Sequence, residues 1–248
     1  MSKEEFVKIV AADQPEAPAY FPKSAAKNLE GSAALTELAK PVERSYDEIR
    51  AFDGVVIDVR QASEYGAGHV SNSVNIGLGG QFASWAGILI PIGTTIAIAA
   101  DNETQVEEAV TRLSRVGHES VTGYILSHNF DGETKTIEQA AVEMVRDQAK
   151  AGTSMQLVDV RRSPEYVASH ASGSVNIPLD KLAAEFDRLD PSVPTYVICQ
   201  SGYRSSIGTG ILENAGFTNV YNVKGGTAAW VAAGLDTETS ATACAGTT

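Results

Sequence analysis

The feature that most constrains this chain is an internal repeat. Asp58, Arg60, Glu64-Tyr65, His69 and Ser73-Val74-Asn75-Ile76 return as Asp159, Arg161, Glu165-Tyr166, His170 and Ser174-Val175-Asn176-Ile177, each 101 positions beyond its counterpart. A register kept this closely over separate motifs means duplicated domains. In the first copy, Ser45-x-x-Glu48 reads as a capping box for a short helix, followed by the strand Val55-Val56-Ile57-Asp58-Val59. In the second, Thr136-x-x-Gln139 reads as the matching box, before a longer helix that reaches about residue 149. The repeated Asp, Arg and Glu are expected to form a buried or half-buried ion pair closing a strand-to-helix turn. His69 and His170 are expected as hydrogen-bonded turn residues, and no clustered Cys/His pattern supports a metal site.

The copies diverge after their central strand. In the second, Tyr196-Val197-Ile198 is a short β-favouring run, and a helical pattern from 205 to 215 stops at Gly216 in a C-cap position. Between them lies the tight loop Cys199-Gln200-Ser201-Gly202-Tyr203-Arg204. A thiol at the start of such a loop faces converging N–H groups and a helix N-terminus, both of which favour an anion, so a thiolate nucleophile is expected. Arg204 adds a planar cation suited to an anionic substrate. A lone cysteine at a strand end is more often a small buried hydrophobe, but Gly202 and its polar neighbours do not build a core. Two anion-binding chemistries fit, a sulfur carrier and a cysteine phosphatase. Aligning Gly117 with Gly216 places Ala100 opposite Cys199 and Gln105 opposite Arg204. The first loop, with two carboxylates and neither thiol nor glycine, would repel an anion, so the first copy reads as scaffold.

Flanking segments complete the layout. Residues 1–42 form an extension, with a weak amphipathic helix over 2–11 and a proline strap that carries Tyr20 and Phe21. The first domain is expected over 43–128, a linker over 129–134, the second domain over 135–236 and a flexible tail over 237–248. Val220-Tyr221-Asn222-Val223 reads as a last strand leading to Gly225-Gly226 and Trp230; the first copy has only Gly123-Tyr124 there. Residues 85–100 read as two buried pieces joined by a turn, too short to span a bilayer. A net charge of −12 argues against a nucleic-acid or polybasic membrane surface. Two cysteines, Cys199 and Cys244, do not make a disulfide framework, and no signal peptide is indicated, so a cytoplasmic, soluble protein is expected. Cys244 in the tail reads as incidental.

Asp-x-Arg, Glu-Tyr, His and Val-Asn-Ile, followed by Cys-x-x-Gly-x-Arg-Ser and Gly-Gly-x-x-x-Trp, resemble the rhodanese (sulfurtransferase) family. The resemblance implies an α/β fold of two tandem rhodanese-like domains, each a parallel sheet flanked by helices. It implies a Cys199 persulfide, with Gln200, Ser201, Gly202, Tyr203, Arg204 and Ser205 holding persulfide and donor. Asp159, Arg161, Glu165, His170 and Trp230 are expected in structural roles, and no cofactor is implied. The loop has the short form associated with sulfur substrates; phosphatases and arsenate reductases of this fold have a loop one residue longer. The strap around Gln14-Pro15 and Pro18-Ala19-Tyr20-Phe21-Pro22, with Asn28, is similar to the segment after the metallo-β-lactamase-like domain in persulfide dioxygenase–rhodanese fusions. The expected partners are therefore small sulfur donors, thiol acceptors and a persulfide dioxygenase-like protein. A non-catalytic persulfide-carrying module is the alternative, and a phosphatase the third reading.

Overall fold

The computed structural model describes residues 1–12, 21, 29 and 39–240. Residues 14–20 and 22 of the proline strap, Asn28 and Cys244 lie outside the described residues. Helix α1 (Lys3–Ala11) starts at Ser2, whose hydroxyl accepts from the Glu5 N–H while the Glu5 carboxylate accepts from the Ser2 N–H.

The first domain runs β1 (Val42–Glu43), α2 (Tyr46–Arg50), β2 (Val55–Asp58), α3 (Ala62–Ala67), β3 (Ser73–Asn75), α4 (Phe82–Leu89), β4 (Ile96–Ala100), α5 (Glu103–Ser114) and β5 (Val121–Leu126). The second runs β6 (Glu138–Ala140), α6 (Val142–Lys150), β7 (Gln156–Asp159), α7 (Ser163–Ala168), β8 (His170–Ala171), β9 (Val175–Asn176), α8 (Leu179–Glu185), β10 (Thr195–Ile198), α9 (Tyr203–Asn214), β11 (Val220–Val223), α10 (Gly226–Ala232) and β12 (Thr237–Glu238). The sheets have the same parallel order, β1-β5-β4-β2-β3 and β6-β11-β10-β7-β9. The central strands β4 and β10 are buried at every residue, which is why they read as unbroken apolar runs.

The repeated motif is a brace at the end of β2 and β7. The Arg161 guanidinium donates through Nε and Nη2 to both oxygens of Asp159 and through Nη2 to the Ser169 carbonyl, as Arg60 does to Asp58 and Gly68. The Asn75 amide donates to the carbonyls of Asp58 and Arg60, and Asn176 repeats this with Asp159 and Arg161. Each histidine stacks on its tyrosine, with ring centroids 3.8 Å and 3.7 Å apart, and bonds that tyrosine's carbonyl through Nδ1. Glu165 stands outside this ion pair, for a reason described below.

Three sequence expectations are corrected. Thr136 and Gln139 do not cap a helix: residues 138–140 form β6, whose backbone groups pair with β11, and α6 begins after Ala141. Residues 237–240 are not a loose tail, because β12 pairs antiparallel with β8 and the Ser240 N–H donates to the Val167 carbonyl. Gly123-Tyr124 lie inside β5, and the chain after it turns through a short 3₁₀ segment, Ser127–Asn129, where the second copy forms α10. The linker and the start of the second domain are also strapped down: the Tyr46 hydroxyl donates to the Glu133 carbonyl, Lys135 pairs with His69, and the Ile137 N–H donates to the Gly66 carbonyl.

The two domains share one apolar cluster that runs from Ile57 and Tyr65 to Ile207 and Leu212. Helix α9 lies between them. Gly208 faces Val197 and Leu182 of its own domain, while Gly210 faces Tyr65 and the β3 backbone of the other. The Ser206 hydroxyl donates to Asn75 Oδ1 at 2.6 Å, and His69 Nε2 lies 2.9 Å from Glu213. A helix covered on both faces needs small residues rather than an apolar stripe, which explains Ser205-Ser206-Ile207-Gly208-Thr209-Gly210.

Candidate active site

In the order β6-β11-β10-β7-β9, the connection after β7 leads to one side of the sheet and that after β10 to the other. Adjacent strands whose connections diverge leave a crevice at their carboxyl ends, where ligands bind in open α/β sheets. The loop after β7 carries Arg161 and Arg162, and the loop after β10 carries Cys199.

Cys199 directly follows the fully buried β10 and is 1% exposed. Gly202 adopts φ +98°, the left-handed region that glycine enters without a Cβ clash, and starts α9 directly. The turn brings the Gly202 N–H to 3.1 Å from Cys199 Sγ, and the Ser205 hydroxyl donates to the same sulfur at 3.4 Å. The sulfur therefore accepts from two donors at the positive end of a twelve-residue helix.

The loop is held from outside. The N–H and hydroxyl of Thr227 both donate to the Cys199 carbonyl at 2.7 Å, and the Ala228 N–H donates to the Gln200 carbonyl at 3.1 Å. Asn222 donates to the Gly202 carbonyl at 3.3 Å. Gly226, at φ +58°, is packed so closely that a Cβ would collide with the Cys199 carbonyl oxygen. With its carbonyls engaged by β11 and α10, the loop is fixed in the turn that points donors at the sulfur. Trp230 lies further along α10, with its indole N–H donating to the Asp236 carbonyl at 2.8 Å.

Arg204 does not present a free guanidinium. It donates to both oxygens of Glu165, at 2.7 Å and 2.8 Å. Burial opposes the Arg204 charge, but Glu165, with Cys199 and Asp159 beyond it, more than offsets this, and its pKa is raised. The same bonds from Arg204 hold the Glu165 carboxyl below its ordinary value against the opposing effect of burial. Gln105 replaces this arginine in the first copy.

A cavity of about 500 Å³ opens beside the loop, lined by Ser201, Tyr203, Arg204, Glu165 and Arg162 on one side. Its far wall comes from the first domain: Gly79, Gly80, Gln81 and Trp85. Tyr203 joins the two sides, donating its hydroxyl to the Gly77 carbonyl at 2.8 Å, and burial raises the pKa of this phenol. Gly80 leaves room for the Tyr203 ring, which a Cβ would strike. This wall, Asn222 and Thr227 were not among the candidate site residues read from the sequence. The available signal was Gly79-Gly80, which has no counterpart in Asp180-Lys181 of the second copy.

The family model for the rhodanese-like domain matches residues 38–127 and 141–233, so the chain belongs to the rhodanese-like domain family. The chain is similar to thiosulfate sulfurtransferase 16, chloroplastic, of Arabidopsis thaliana, 31% identical over 121 residues, covering 43% of this chain and 97% of that protein. It is also 33% identical over 84 residues to thiosulfate sulfurtransferase GlpE of Actinobacillus pleuropneumoniae, covering 34% of this chain and 78% of that protein. Among solved structures, the rhodanese-like domain of the Anabaena protein Alr3790 is 28% identical, with a TM-score of 0.40, covering 44% of this chain and 86% of that chain. The family match and the two thiosulfate sulfurtransferase relatives support sulfur transfer at the level of the family. Among the described residues, no helix is long and apolar enough to cross a membrane.

Proposed function

We propose that the second domain is a sulfurtransferase that passes a sulfane sulfur through a persulfide on Cys199. The observation that carries this reading is the pair of donors on Cys199 Sγ, the Gly202 N–H at 3.1 Å and the Ser205 hydroxyl at 3.4 Å. Such donors stabilise a sulfur anion both before and after it acquires a second sulfur. The Cys199 thiolate attacks the outer sulfur of thiosulfate or a low-molecular-weight persulfide. The donor S–S bond breaks, and sulfite or a thiolate leaves with the electron pair. A thiol or cyanide then takes the outer sulfur, and Cys199 leaves as thiolate, so the cycle is ping-pong with no net redox change at the protein. Only residues 200–202 separate Cys199 from α9, which favours a single sulfur over the wider cradle a tetrahedral phosphate needs.

The test is the intact mass of the wild type and of Cys199→Ser after thiosulfate or glutathione persulfide, then after cyanide. The expected result is one added sulfur on the wild type alone, lost to cyanide as thiocyanate. Equal sulfur uptake by the variant overturns the assignment. Stable loading without turnover would instead make the protein a carrier.

A further inference from the structure

Resting on the sulfur-transfer reading, we infer that Arg162, and not Arg204, captures the anionic group of the sulfur donor, and that this donor is an organic persulfide bearing a carboxylate. Three charged side chains line the cavity: Arg162, Glu165 and Arg204. Glu165 and Arg204 neutralise each other through two hydrogen bonds, with 36% and 16% of their side-chain surfaces exposed. The Arg162 backbone N–H also donates to Glu165, which fixes the position from which its side chain extends. Its guanidinium has no carboxylate partner among the described residues, whereas that of neighbouring Arg161 is turned inward onto Asp159. The cavity therefore carries one uncompensated positive charge. On a chain of net charge −12, which repels anions at a distance, a local cation decides whether an anionic donor stays.

The shape of the cavity argues for the donor class. About 500 Å³ falls in the range of pockets that take organic ligands and exceeds what an inorganic anion fills. Trp85 and Tyr203 give it aromatic faces, and Gln81 and Ser201 add polar groups that orient a flexible chain. An organic persulfide can lie along these faces, with its outer sulfur at the Cys199 loop and its carboxylate on the planar Arg162 fork. The inactive first domain thereby takes part in donor selection.

The experiment measures the rate of Cys199 sulfur loading at limiting donor, by intact mass, for the wild type, Arg162→Ala and Arg162→Lys. The donors are glutathione persulfide, thiosulfate and the uncharged 2-hydroxyethyl persulfide. Arg162→Ala is expected to slow loading from glutathione persulfide about tenfold, to leave the uncharged donor within about twofold, and to be partly rescued by Arg162→Lys. The wild type is expected to load faster from glutathione persulfide than from thiosulfate. An equal loss with charged and uncharged donors, or no loss with either, overturns the Arg162 assignment while leaving the persulfide on Cys199 intact. Faster loading of the wild type from thiosulfate overturns the donor class. A wild type that loads from no donor defeats the sulfur-transfer reading and this assignment together.

Discussion

The loops after β4 and β10 hold equivalent places in two copies of one sheet, yet they direct their hydrogen bonds oppositely. In the first copy, the Asp101 N–H donates to Gln105 Oε1 at 2.8 Å and the Gln105 N–H donates to Asn102 Oδ1 at 3.0 Å. Ser127 donates to Asp101 at 2.8 Å. These backbone donors are satisfied by the loop's own side chains. In the second copy, Gly202 and Ser205 direct donors at Cys199. Gln200, Ser201 and Arg204 stand where the first loop has Asp101, Asn102 and Gln105, and Arg204 bonds Glu165 rather than its own loop. Helix N-termini leave orphan N–H groups that must find a partner. A loop that fills them internally is stable and inert, while one that leaves them for a sulfur is poised for chemistry. The first copy differs by more than a missing thiol.

The strongest way to break this comparison is to move the thiol. In a chain carrying both Ala100→Cys and Cys199→Ser, the first loop has a sulfur but its donors stay with Gln105 and Asn102. Sulfur uptake from glutathione persulfide is expected to fall by a thousandfold or more, on the order seen when a nucleophile is removed. Uptake near the wild-type rate at the introduced thiol would show that the internal bonds of the first loop do not silence it.

The support behind the two loops gives the next effect. Gly226 combines φ +58° with a backbone approach that excludes a Cβ, while the position opposite it in the first copy, Ser127, makes one side-chain bond to Asp101. Gly226→Ala is expected to destabilise the protein by about 1–3 kcal/mol and to depress sulfur loading. Ser127→Ala is expected to cost about 1 kcal/mol and to leave loading unchanged. Urea unfolding with parallel loading assays checks both. Equal effects would mean that the two loops are braced alike.

What the sequence showed about this arrangement was mostly local. The repeat exposed the duplication because the brace at β2 and β7 uses the same Asp, Arg, His and Asn atoms in both copies. The loop was legible because a thiol, a left-handed glycine and a helix start fall within a few residues. Short edge strands were not. β6 lies under a Thr-x-x-Gln pattern that imitates a cap, and β12 is made of Thr237 and Glu238, whose order comes from pairing with β8. The Arg204–Glu165 pair was hidden because it joins residues 39 apart, and Glu165 also fitted the local Asp–Arg pair. The domain interface was hidden because α9 is small and polar on both faces, a pattern that hydrophobic periodicity does not report.

That interface offers a smaller test, since α9 of the second copy packs into the first. Tyr203→Phe removes the hydroxyl bond to Gly77, and Ser206→Ala removes the bond to Asn75. Each is expected to lower stability by about 1 kcal/mol, and the Tyr203 change also loosens the cavity wall. If the double variant unfolds in two separate transitions where the wild type shows one, these bonds join the domains. If neither single change alters the urea midpoint, these two bonds do not hold the domains together.

The smallest effect separates the copies by charge. Only the second has the Glu165–Arg204 pair, and this pair holds the Glu165 carboxyl below its ordinary value of about 4.3. A carboxylate with a lowered folded-state pKa stabilises the fold above its unfolded value, and that contribution is lost as the pH falls through the folded one. Glu165→Gln keeps the shape but cannot carry the charge. The stability gap between wild type and this variant is expected to stay level from about pH 7 to 5 and to close below about 4.3. Because Glu165 is 36% exposed, solvent screens the pair and keeps the gap small. No gap between about pH 7 and 5 would show that the Glu165 charge adds nothing to stability, and the electrostatic difference between the copies would then reduce to the sulfur and its donors.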